Sequence, residues 1–176
     1  MAQIFTLKDI VTYSKERSPF YGELYKDIDI ENFSLIDLPL IDQQDYWHAN
    51  SVKDNRLLNG SQSDGIVFKS GGTTGHPKFS FFNDSEWSSF TEIFGDGMDA
   101  SNLRPGDRVA NLFYSGNLYA SFIFIMKSIE DSKTPVIHYP ISGSCSFDDL
   151  LHFIKDLKIN VLAGVSNNLY KLLFLS

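Results

Sequence analysis

Ile66-Val67-Phe68-Lys69-Ser70-Gly71-Gly72-Thr73-Thr74-Gly75-His76-Pro77-Lys78-Phe79-Ser80-Phe81-Phe82 begins with a β-type run, passes through a glycine- and hydroxyl-rich string, and leaves in a second β-type run. The spacing predicts strand, loop, strand. Between Ser70 and Lys78 lie three glycines, three hydroxyls and one lysine. Glycine allows positive φ and lets backbone N–H groups approach an anion, hydroxyls add donors, and lysine adds a mobile point charge. Polyphosphate suits such a loop. A Walker loop does not fit, because that pattern needs contiguous Gly-Lys-Ser/Thr opening a helix, whereas here Pro77 precedes the lysine and a β-type run follows. By composition alone, ordinary turn chemistry accounts for the string equally well.

On the C-terminal side, Asp84 or Ser85 is placed to cap a helix carrying Trp87, Phe90, Phe94 and Met98 as core aromatics and apolar contacts. Arg104-Pro105-Gly106-Asp107 then forces a turn. Val109–Tyr114 and Pro135–Tyr139 read as strands, with a helix from Leu118 to Ile129 between them, which makes a βαβ unit. Ser146 and Asp149 cap a further helix with Phe147, Leu150, Leu151, Ile154 and Leu157 on one face, before the apolar run Ile159–Val165. Each such side chain is worth roughly 1.5–3 kcal/mol when fully buried, so the stripe is expected to face a parallel sheet. The predicted class is α/β: a mostly parallel sheet with flanking helices. Asn167–Ser176 reads as a helix with four apolar residues in its last five, Leu172 to Leu175, a surface expected to be covered by self-association or a partner.

On the N-terminal side, residues 1–60 read as a helical segment and 61–176 as the α/β part. Thr6 with Asp9 resembles a capping box, followed by Leu7, Ile10, Val11 and Ser14 on one face until Ser18-Pro19. Asp42 with Asp45 repeats the pattern, and Asn50–Asn55 reads as a loop.

The chain of 176 residues is 43% hydrophobic and 14% aromatic, enough to bury a core, so wholesale disorder is excluded. Its net charge of −7 offers no positive field to a phosphate backbone, and nucleic acid is not an expected partner. Charges interrupt the apolar stretches and no secretory leader is read at Met1–Asp9, so no membrane partner and a cytoplasmic setting are expected. A lone Cys145 cannot form an intrachain disulfide; it precedes a helix whose dipole lowers thiol pKa values, yet no patterned His or acid accompanies it, so an ordinary thiol is expected. His48, His76, His138 and His152 show no metal-ligand spacing, and no metal site is expected. His138 is read as ending a strand in a structural hydrogen bond.

Ser-Gly-Gly-Thr-Thr-Gly-x-Pro-Lys at Ser70–Lys78 resembles the phosphate-binding loop of the adenylate-forming superfamily, which includes acyl-CoA ligases, luciferases and nonribosomal-peptide adenylation domains. Ser18-Pro19-Phe20-Tyr21-Gly22-Glu23-Leu24-Tyr25 and Leu38-Pro39-Leu40-Ile41-Asp42-Gln43-Gln44-Asp45 are similar to the N-terminal portion of its phenylacetate-CoA ligase branch. Gly106–Val109, Tyr114–Gly116 and Gly164–Ser166 recur in family-like order, so the resemblance covers nearly the whole chain.

The resemblance implies the N-terminal subdomain of an ATP-dependent ligase in which a carboxylate attacks the α-phosphate of ATP, releasing pyrophosphate, before CoA or another acceptor takes the acyl group. It implies that Ser70, Gly71, Gly72, Thr73, Thr74, Gly75 and Lys78 hold ATP phosphates, and that Tyr114, Ser115 and Gly116 lie near the carboxylic acid. It also implies Mg²⁺ for the complete enzyme. The family's metal-placing acid, ribose-binding aspartate and late lysine are expected beyond Ser176, so no catalytic residue is assigned within the chain. The alternatives are a half-site subunit needing a partner chain, and a catalytically incomplete nucleotide-binding module.

Overall fold

Thr6 Oγ1 accepts from the Asp9 N–H (3.1 Å) while the Asp9 carboxylate accepts from the Thr6 N–H (2.8 Å), so the reciprocal cap read from the sequence opens helix α1, Leu7–Arg17. The computed structural model describes residues 5–70 and 77–175 and divides the chain into two compact units, Met1–Asp64 and Gly65–Ser176.

In the first unit, Ser18 ends α1 and caps α2, Pro19–Leu24, with proline preset for the first helical turn. Ser18 is buried, and its hydroxyl donates to the Arg56 carbonyl (2.9 Å), which also accepts from the Phe20 N–H (2.9 Å). A short 3₁₀ turn, Leu35–Asp37, leads to α3, Gln43–Ala49, capped by the Asp42 carboxylate as expected. Of the apolar face predicted for α1, Val11 is buried, whereas Leu7 and Ile10 are exposed.

The second unit opens with an antiparallel hairpin of β1, Ile66–Lys69, and β2, Phe79–Phe82, in a register that pairs Lys69 with Phe79. Helix α4, Asp84–Asp99, follows. Its cap is Asn83, in a reciprocal box with Glu86, rather than Asp84 or Ser85, because only Asn83 keeps extended backbone while its side chain reaches the Glu86 N–H (2.8 Å). Then come β3, Arg108–Asn111; α5, Ala120–Asp131; β4, Ile137–Tyr139; α6, Phe147–Asp156; β5, Val161–Ala163; and α7, Ser166–Leu175. The strands β4, β3 and β5 lie in that order, all parallel, so the α/β class with βαβ units is observed. The first strand stops at Asn111, short of the predicted Tyr114. Helix α5 begins at Ala120 rather than Leu118, because Asn117 and Leu118 hold positive φ, which a right-handed helix excludes.

Ala110 and Leu112 meet Leu150, Ile159 and Leu172 in the main core, with Leu151, Ile154 and Leu157 partly buried against it. The predicted α6 stripe therefore faces the sheet, except that Phe147 at its first turn is exposed. A second cluster joins Trp87, Phe90 and Phe94 to Phe124 of α5 and Phe82 of β2. Phe90 and Phe94 remain exposed, which corrects their reading as core aromatics: Phe124, joined at Phe90 by Phe82, covers only part of each ring. Among the described residues no helix is long and apolar enough to cross a membrane.

At the N-terminal edge of the sheet, the Arg108 guanidinium donates to the Tyr139 hydroxyl and the Leu157 carbonyl, and Asn160 bonds both the Arg108 N–H and the Asp107 carboxylate (2.8 Å each). These bonds hold β3, β4 and the end of α6 in register, leaving the opposite edge to carry irregular loops.

Candidate functional site

Ligands of open parallel sheets collect beyond the C-terminal ends of the strands, and here three connections leave that edge after Asn111, Tyr139 and Ala163. The Leu112 N–H donates to the Ala163 carbonyl (2.7 Å), the Ser142 N–H to the Asn111 carbonyl (2.9 Å), and the Gly143 N–H to the Phe113 carbonyl (2.9 Å). The hydrogen-bond ladder thus continues past the regular strands. A Cβ on Gly143 would stand 2.5 Å from the Leu112 carbonyl oxygen, so glycine permits the loop after β4 to lie against the segment after β3. Asn111 organises this junction from within: fully buried, its Nδ2 donates to the Phe122 carbonyl (2.9 Å) and its Oδ1 accepts from the Phe113 N–H (3.2 Å).

The segment Tyr114–Gly116 leaves this junction toward a tight reversal. Ser115 Oγ lies 3.1 Å from Ser142 Oγ, which lies 3.2 Å from Ser144 Oγ, forming a short hydroxyl row between the two loops. Gly116, Asn117 and Leu118 have φ of 84°, 50° and 62°, and the Tyr119 N–H closes the turn on the Gly116 carbonyl (3.0 Å). Glycine tolerates that region, but a leucine there costs about 1–2 kcal/mol. The conformation aims the Leu118 carbonyl at the Lys69 N–H, which donates to it at 2.9 Å.

Lys69 is the last residue of β1, directly before the glycine-rich loop. At its neck, the Ser70 N–H donates to the Lys78 carbonyl (2.8 Å), and the Lys78 N–H donates back to Ser70 Oγ (3.1 Å). Ser70 and Lys78 are therefore fastened to each other, at the mouth of a loop whose ends are set by the Lys69–Phe79 strand pair. Gly71, Gly72, Thr73, Thr74 and Gly75 lie outside the described residues. The structure thus joins the two sequence-derived groups, Ser70 with Lys78 and Tyr114 to Gly116, through the single bond from Lys69 to Leu118.

Burial and the neighbouring Asp149 carboxylate raise the Cys145 thiol pKa, opposite to the lowering a helix N-terminus would give, so the thiol stays protonated at neutral pH. His138 occupies the middle of β4; its Nε2 is buried without a hydrogen-bond partner, which corrects the expected structural bond, and burial lowers its pKa. Among the described residues no group of three or more His, Cys, Asp or Glu side chains is placed to hold a metal ion.

Sequence reading missed Asn111, Leu118 and Ser142. A polar residue inside the apolar string Val109-Ala110-Asn111-Leu112 was a signal of a buried hydrogen-bonding role. Leu118 carried none, since leucine is not a turn residue.

No family model matches the chain, and no curated protein matches it. Solved structures do. A 2-hydroxyisobutyryl-CoA ligase, in an open conformation in complex with 2-HIB-AMP and CoA, is similar over 94% of this chain at 15% identity and a TM-score of 0.78. The same ligase in its thioesterification state with 2-HIB-AMP and CoA gives 89% coverage, 16% identity and a TM-score of 0.71, and in its postadenylation state with 2-HIB-AMP it gives 89%, 18% and 0.71. At these identities what is shared is the fold. The chain spans 37%, 35% and 34% of the ligase's length in these three comparisons.

Proposed function

We propose that the chain is part of an ATP-dependent, AMP-forming carboxylate ligase of the adenylate-forming superfamily, in its phenylacetate-CoA ligase-like branch. The observation that carries this reading is the reciprocal bonding of Ser70 and Lys78 at the neck of the glycine-rich loop, on a fold shared with a CoA ligase that binds an acyl-adenylate. A neck fastened in this way fixes the two ends of a segment whose glycines, hydroxyls and lysine are the residue types that suit a polyphosphate.

In the reaction, a carboxylate oxygen attacks the α-phosphorus of ATP, the bond to the bridging oxygen breaks, and pyrophosphate leaves with the electron pair. Ser70, Gly71, Gly72, Thr73, Thr74, Gly75 and Lys78 stabilise the charge that develops on that leaving group. Tyr114, Ser115 and Gly116 lie near the acid, and the Lys69–Leu118 bond ties that segment to the neck of the phosphate loop. CoA or another acceptor then takes the acyl group. Mg²⁺, expected for the complete enzyme, finds no donor cluster among the described residues. A reducing, ATP-supplied cytoplasm suits a chain whose single cysteine is a free thiol.

Carboxylate-dependent ATP–pyrophosphate exchange tests the activity. ATP-dependent thermal stabilisation without exchange would instead assign a nucleotide-binding module or a half-site subunit. Lys78→Ala is expected to weaken ATP binding about tenfold while leaving the melting temperature nearly unchanged, since Lys78 is exposed. Calorimetric titration checks this, and equal affinity in the variant would remove Lys78 from the site.

A further inference from the structure

Beside Tyr114, the loops after β3 and β4 and the helices α6 and α7 enclose a cavity of about 160 Å³. Its lining separates by chemistry. Leu112, Phe147 and Leu150 supply an apolar wall, whereas Ser142, Asn168 and Lys171 supply a hydroxyl, an amide and an ammonium. No carboxylate lines it, and among the described residues Lys171 has no ion-pair partner. A cation beside two neutral hydrogen-bonding groups, facing aliphatic and aromatic carbon, complements an anion with a short apolar body. A space of this size, open on one side, buries the body of an acid of a few carbons but not the whole of a long alkyl chain.

We propose that this cavity receives the carboxylic acid, and that the acid is short-chain: its carboxylate on Lys171, Asn168 and Ser142, its body against Leu112, Phe147 and Leu150. The identification of that ligand as the substrate rests on the ligase reading. The location supports it, because Tyr114 and Ser142 belong both to the cavity lining and to the loop ladder that leads through Leu118 to the phosphate-loop neck. Lys171 escaped the sequence reading because a lone lysine on an apolar helix reads as a solvated charge. Packing of Leu172 into the core turns that part of α7 toward the strand ends.

The test is calorimetric titration of the chain with butyrate, octanoate, inorganic phosphate and tripolyphosphate, for the native protein, Lys171→Met and Lys171→Arg. Butyrate is expected to bind, octanoate and phosphate to bind about tenfold more weakly, Lys171→Met to lose about tenfold in butyrate affinity, and Lys171→Arg to retain most of it. Butyrate is also expected to slow alkylation of Cys145, a residue of the cavity lining, a readout that needs no variant. Equal binding of octanoate or phosphate, butyrate affinity indifferent to Lys171→Met, or unprotected Cys145 overturns the proposal. Tripolyphosphate separates the two readings. If it binds while butyrate does not, the cavity assignment falls and the ligase reading stands; if butyrate binds through Lys171 while tripolyphosphate does not, the ligase reading falls and the cavity remains an acid site.

Discussion

His138 shows how one side chain couples the fold to pH. It lies within the parallel sheet with Nε2 buried and unsatisfied, and burial disfavours the imidazolium, so its folded pKa lies below the ordinary value near 6.5. Glu130 opposes this shift without reversing it. As pH falls, the unfolded chain takes up the proton first; the stability contributed by neutral His138 is complete above about 6.5 and declines as pH drops through that value toward the folded pKa. Urea midpoints measured at pH 7.5 and 5.5 are expected to fall for the native chain and to fall less for His138→Gln. A drop of equal size in the variant would place the titrating group elsewhere. Cys145 and His138 share one lesson at this scale. A helix N-terminus and a strand end were visible as neighbours in the sequence, but the burial that governs both pKa values depends on residues distant in the chain.

Among the elements, the turn Gly116–Tyr119 decides how the two halves of the candidate site are related. Leu118 must hold φ near 62° for its carbonyl to meet the Lys69 N–H. A β-branched residue is a poor fit there, whereas glycine is at ease. Leu118→Val is therefore expected to weaken tripolyphosphate binding and to speed hydrogen exchange at the Lys69 amide, while Leu118→Gly preserves both; exchange mass spectrometry and calorimetry provide the two measurements. Unchanged Lys69 protection in Leu118→Val would mean the turn does not hold the neck. Caps with strict local grammar, such as Thr6 with Asp9, Asp42 before α3 and Ser146 before α6, were legible because donor and acceptor lie within three residues of each other. The cap of α4 was misplaced by one residue, since Asn83, Asp84 and Ser85 are all competent and only the backbone angle distinguishes them.

For the molecule as a whole, the apolar C-terminal helix and the negative charge act in opposite directions. Leu172 is buried in the core, while Tyr170 and Phe174, 63% and 71% exposed, lie with ring centroids 4.5 Å apart and planes tilted by 46° on the outer side of α7. That ring pair is the surface through which the expected self-association would run, against the repulsion of a net charge of −7. Sedimentation velocity is expected to show association that strengthens with salt, which screens the charge, and weakens in Phe174→Ser. A monomer at every salt concentration would rule this surface out. The sequence by itself determined the α/β class, the strand–loop–strand around Ser70–Lys78, most helix starts and the chemistry that the loop offers, because period, caps and turn residues are local properties. Tertiary structure decided the rest: that Lys69 bonds Leu118, that Ser115 meets Ser142, that Asn111 is buried between strand and helix, and that Lys171 faces a cavity. Each of these joins residues many positions apart, and such contacts exist only once β3, β4 and β5 are packed side by side.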